Sequence, residues 1–258
     1  MGTYRNRKIA TQKIEELTKN SADVLIIHYS QLIIHDTDEE NMSPLISAIV
    51  IRSLDGSIYE HFAIHLEADK SNIPKDEIYN NYSELEFFTL NAFNNFIKRH
   101  KTKLWVHWEM KNIHFGFEAI KHRFNKLVEG SREKFEAIPI NNKINLNYLL
   151  ELMYGDDYVE GPDKLHSLIE VNNKIVNREY LSLDREAMEF ENGNFTSILE
   201  SLDFKVDSIG KFLSKIKRRN LKVQKRNGYA IFQDIVTHPV FSFLGWLAGI
   251  VLGIISLR

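Results

Sequence analysis

The sequence predicts an α/β domain, a mixed sheet flanked by helices, followed by one C-terminal transmembrane helix. Three observations carry this. Short apolar runs of strand type alternate with stretches of helical periodicity, an Asp-Gly pair joins two of the runs, and an uncharged apolar segment spans Val240 to Leu257. With 258 residues, 43% of them hydrophobic, the chain has enough material for one core and an appendage.

A first helix is expected within residues 1–22, running through Lys8 to Thr18 with Ile9, Ile14 and Leu17 as its apolar residues. Val24-Leu-Ile-Ile27 then reads as a buried strand. Leu45 to Arg52 and Ile58 to Leu66 are β-type stretches joined through Ser53-Leu-Asp55-Gly56, which makes them antiparallel neighbours. On this reading His61 and His65 share one face of a strand, roughly 13 Å apart and too distant to hold one metal. Ser83-Glu-Leu-Glu86 forms a capping box ahead of Leu85, Phe88, Ala92, Phe93, Phe96 and Ile97 at helical spacing. Leu104-Trp-Val-His-Trp108 is a short strand, and a helix follows from about Phe115 to Val128. Trp105 and Trp108 suit packing under a helix better than base stacking. The remainder, including Leu146 to Met153 and Asp163 to Val171, reads as mostly helical.

There is no cysteine, which removes disulfides, thiolate zinc sites and cysteine nucleophiles together. No glycine loop of phosphate-binding type is present. Net charge is −2, but eight basic residues and no acid lie between Lys211 and Arg226. Setting these eight and Arg258 aside from the 33 basic residues leaves 24 against 35 acidic ones, a formal −11, which argues against bulk attraction of the body to nucleic acid.

Residues 211–239 therefore read as a basic juxtamembrane segment and residues 240–257 as the membrane helix, roughly 27 Å long. The positive-inside rule places the N-terminal domain in the cytoplasm. Lys217, Arg218, Arg219, Lys222, Lys225 and Arg226 suit anionic lipid headgroups better than nucleic acid. Gly245, Gly249 and Gly253 form one stripe through which two tails would pack as a homodimer.

The order strand, hairpin, helix, strand, helix over residues 23–216 resembles the ribonuclease H-like superfamily. Leu104-Trp-Val-His107-Trp-Glu109-Met-Lys-Asn112-Ile-His114-Phe-Gly-Phe117 is similar to the second motif of its DEDD group of proofreading-type 3′-to-5′ exonucleases. The resemblance implies four acidic residues holding two divalent ions, magnesium or manganese, that hydrolyse phosphodiesters. This chain departs from that pattern. His28-Tyr-Ser30 stands where Asp-x-Glu is expected, Asn112 and His114 are not acidic, and the third motif offers Asp203 or Asp207.

Two expectations follow. In one, the chain is a membrane-tethered exonuclease-like protein acting on nucleic acid through a rearranged site in which His28, His107, Glu109, His114 and Asp207 converge. His28, His107, His114 and Asp207 are then the metal ligands, and histidine shifts the preference toward zinc or manganese. In the other, the domain is a catalytically inert, membrane-anchored binding module, an arrangement that by analogy also suits a phage-defence effector.

Overall fold

A strand that is apolar on both sides belongs in the middle of a sheet, and the first strand is buried along most of its length. In the computed structural model, which describes residues 4–32, 44–110, 115–130, 132–172, 180–226 and residue 246, five strands form one sheet. They are β1 (Val24–Leu32), β2 (Leu45–Ser53), β3 (Tyr59–Ala63), β4 (Leu104–His107) and β5 (Lys143–Asn145), in the order β3-β2-β1-β4-β5. The hairpin pairs are antiparallel, while β4 and β5 run parallel to β1, so the expected mixed sheet is present. The turn between β2 and β3 is held by the Asp55 carboxylate, which accepts from the Ser57 amide and from the Ser53 and Ser57 hydroxyls. Gly56 there takes φ +79°, a left-handed conformation that glycine adopts without steric cost.

Period two sorts the strand residues. Val24, Ile26, Ala48, Val50, Val106 and Ile144 face one core with α1 (Tyr4–Lys19), α5 (Leu146–Tyr154), α6 (Lys164–Asn172) and α8 (Phe195–Lys217). Leu25, Ile27, Ile49, Ile51 and Trp105 face the other, under α3 (Tyr82–His100) and α4 (Phe117–Leu127). Both tryptophans pack as aromatic core, Trp105 against Phe93 and Phe96, and Trp108 against Phe212 on the α8 side. A third cluster joins α2 (Ile64–Lys70), α3, α7 (Leu183–Glu191) and the start of α8.

The structure corrects four expectations. The second β stretch stops at Ala63, because Ile64 and Ala68 turn inward at helical spacing; His65 therefore lies on α2, stacked on Phe195, and not on a strand. Glu86 does not close a capping box. It is fully buried and accepts from the Ile46 amide and from Arg123, and no side chain caps α3. The N-terminal helix is part of the body: Ala10, Ile14 and Leu17 enter the main core, while Ile9 is exposed.

Finally, the basic run does not begin a separate segment. Lys211 to Lys217 close α8, whose Phe212, Leu213 and Ile216 are buried. Residues 220–226 continue as a strap bound to the domain. Leu221 is buried, Asn172 Nδ2 donates to the Lys222 carbonyl, and the Gln224 and Lys225 amides donate to the Tyr158 carbonyl. Among the described residues no helix is long and apolar enough to cross a membrane. The segment 240–257, with Gly245, Gly249 and Gly253, lies outside the described residues apart from Trp246.

Candidate functional site

At the C-terminal end of β1, His28 and Ser30 follow Ile26 on the face covered by α8. Ser30 Oγ donates to Glu186 Oε2 at 2.6 Å, and the other Glu186 oxygen accepts from Lys205 Nζ. Lys205 also lies over the Tyr180 ring, 4.7 Å from its centre, and the Tyr180 hydroxyl donates to Asp163 at the start of α6. Glu186 is 2% and Lys205 3% exposed, so an ion pair between α7 and α8 closes the end of the central strand. The helices deliver these charges inward. Lys205 is three residues after Leu202 and four before Ile209, on the buried stripe of α8, and Glu186 is four residues before buried Phe190 on α7.

His28 is buried beside this pair, and its Nδ1 has no hydrogen-bond partner. Burial pushes the imidazole well below its ordinary value of 6.5, and the nearby positive potential of Lys205 and His107 adds to this. It is therefore neutral near pH 7.

His107 is placed differently. It pairs in register with Ile27, so it shares Ile27's face, and the pleat sends His28 to the other side of the sheet. His107 Nδ1 accepts the Met110 amide at 3.1 Å, and its ring meets Phe117 edge-on at 5.5 Å. This histidine tightens the turn after β4. Glu109 in that turn has φ +54°, and its Oε1 accepts from Asn145 and from Asn147, the latter at 2.6 Å. Asn147 in turn bonds Glu151 and the Tyr158 hydroxyl, so Glu109 ties β4 to α5.

Asp207 is ion-paired with Arg52 at 2.6 Å and with Lys211, in a pocket that Ile26, Leu54 and Gly210 also line. Asp203, one turn earlier on α8, accepts from His61 Nε2 at 2.7 Å, and burial and this carboxylate push the Tyr59 hydroxyl upward. Two positions along a helix differ by about 200°, so Asp203 and Asp207 face the β2–β3 hairpin while Lys205 between them faces β1 and α7.

The five residues expected to converge are not gathered into one cluster among the described residues. His28 and His107 leave their strands on opposite sides of the pleat yet lie close enough for His107 to act on His28, Glu109 and Asp207 are each held by their own partners, and His114 lies outside the described residues. Among the described residues no three His, Asp or Glu side chains are grouped so as to hold a metal ion. The residues present do not fit the two divalent ions that the resemblance implies, because the Glu186 carboxylate at the end of β1 is already taken by the Lys205 ammonium and the Ser30 hydroxyl.

Lys205, Glu186 and Tyr180 are the residues that sequence reasoning missed. A charged residue in register with Leu202 and Ile209 was the available signal for Lys205. Comparison with family models, with curated proteins and with solved structures finds no match for this chain.

Proposed function

We propose that the chain is a catalytically inert binding module of ribonuclease H-like type, held by residues 240–257 to a membrane with its folded domain on the cytoplasmic side. One observation carries the reading. The end of the central strand, where the metal-dependent members of that superfamily present carboxylates, is closed by Glu186, which accepts from both Lys205 and Ser30. An ammonium supplies one fixed positive charge and no open coordination position, so it orients α7 against α8 without activating water. The fold reading is supported by the central first strand, with an antiparallel hairpin on one side and a parallel strand on the other.

The exonuclease reading retains one supporting observation, the unpartnered Nδ1 of His28, a neutral imidazole able to accept a proton. An assay separates the two. The full chain in detergent is incubated with end-labelled single-stranded DNA and RNA and with magnesium, manganese or zinc. We expect no shortening with any metal. Stepwise loss from the 3′ end, abolished by His28→Ala, would overturn inertness. Retention of the chain in membranes washed with alkaline carbonate tests the anchor separately.

A further inference from the structure

We infer that the surface where the C-terminal ends of α1 and α8 meet the strap is a docking face for an anionic lipid surface. This rests on the membrane reading above and adds an orientation to it. Lys217 Nζ donates to the Thr18 carbonyl, which brings Lys19 at the end of α1 beside Lys217, Arg218 and Arg219 at the end of α8. Lys222 on the strap joins them, its backbone fixed by Asn172 through both its amide and its carbonyl. All five side chains are exposed. The field there is positive enough that Lys215, lowered first by burial, is lowered further by Lys222 and Lys211.

The acids on this side are largely spoken for. Glu16 pairs with Lys13, and Glu160 pairs with Lys225. The far end of the strap is held as well, since Arg226 lies over the Tyr154 ring at 5.7 Å, beside Arg7 of α1 at 6.0 Å from the same ring. The charges thus sit on a rigid frame and not on a loose tail.

The chain beyond the strap selects the occupant. Thirteen residues separate Arg226 from Val240, a reach of at most about 45 Å at full extension. A domain tethered that closely meets the headgroups continually, and the basic face is next to the tether. Nucleic acid has no comparable reason to be near, and the rest of the chain is acidic.

The chain has no cysteine, so a single Asn220→Cys carries one fluorophore on the full protein. It is reconstituted into vesicles of phosphatidylcholine, alone or mixed with phosphatidylserine, that contain a headgroup-level quencher. We expect quenching several-fold stronger in the anionic vesicles. Arg218→Gln, Arg219→Gln and Lys222→Gln should each lower the docking constant about fivefold. A label on Lys121→Cys, on α4 across the sheet, should stay unquenched. Equal quenching in both lipids, or indifference to the three substitutions, overturns the docking face; carbonate-resistant flotation then still upholds the anchor. Loss of that flotation with charge-dependent quenching retained overturns the anchor and supports the face. Saturable oligonucleotide binding through the same three residues, without lipid dependence, reassigns the face to nucleic acid and overturns the proposal.

Discussion

Glu86–Arg123 on the α3 face of the sheet and Glu186–Lys205 on the α8 face are both buried ion pairs, yet they are built on different plans. Arg123 meets Glu86 as a planar fork, Nε and a terminal nitrogen both donating, and the Ile46 amide takes a remaining lone pair. Burial still pushes the Glu86 carboxyl upward against the pull of Arg123. Lys205 is a point charge that donates to one carboxylate and lies over the face of Tyr180, near a buried histidine whose Nδ1 has no partner. The first pair joins two helices and β2, with both carboxylate oxygens and two guanidinium nitrogens bonded. The second leaves an orphan beside it, the Nδ1 of His28.

The Glu86–Arg123 pair is the costlier of the two to break. Arg123→Met leaves Glu86 buried without its cation and should cost about 3–5 kcal/mol, read as a lowered urea midpoint. Lys205→Ala should cost about 3 kcal/mol for the same reason, whereas Lys205→Met combined with Glu186→Leu should return to within about 1 kcal/mol of the parent. If the double variant is as damaged as the single one, the pair specifies the fold and has no other role.

A pH series sharpens the contrast. Burial lowers the folded-state value of His28, so as pH falls below 6.5 the unfolded chain takes up the proton first. Stability present above 6.5 is then lost toward acid, with a slope from this one group of at most about 1.4 kcal/mol per pH unit. His28→Phe should remove that component of the slope. The smallest effect is expected at Asp207. It and Arg52 are 32% and 41% exposed, so Asp207→Asn should cost under about 1 kcal/mol, as befits a surface pair.

The backbone of this fold is legible in the sequence wherever one period dominates. Val24–Ile27, the Asp55-Gly56 turn and the apolar spacing of α3 each carry a single signal, and each forms the expected element. Reading fails where two signals overlap. Ile58 to Leu66 is rich in strand-type residues, but Ile64 and Ala68 belong to a helical face, and tertiary burial ends the strand at Ala63. Glu86 has the position of a capping residue and also that of a core one, and Arg123, 37 residues away, decides between them.

The candidate site was less legible because the pleat separates what the sequence groups. His28 and His107 both stand near strand ends, and only the register with Ile27 shows that they face apart. Lys205 and Glu186 meet across 19 residues and two helices, a pairing that no local spacing announces.

The strap also determines how the domain bears a load. A pull on the chain at Arg226 first meets that residue's seat on Tyr154 and the Lys225–Glu160 pair, then the Lys225 and Gln224 amides, both on the single carbonyl of Tyr158, and then the bonds of Lys222 to Asn172. These give way one after another, as a zip does, and Leu221 leaves its seat before the force reaches α8. Helix α8 lies across β1 and β2 with Gly210 against Ile26, where an added methyl would come within 3.1 Å of that side chain. Tension on the chain would be spent first on this short peelable seam, ahead of α8 and the sheet beneath it.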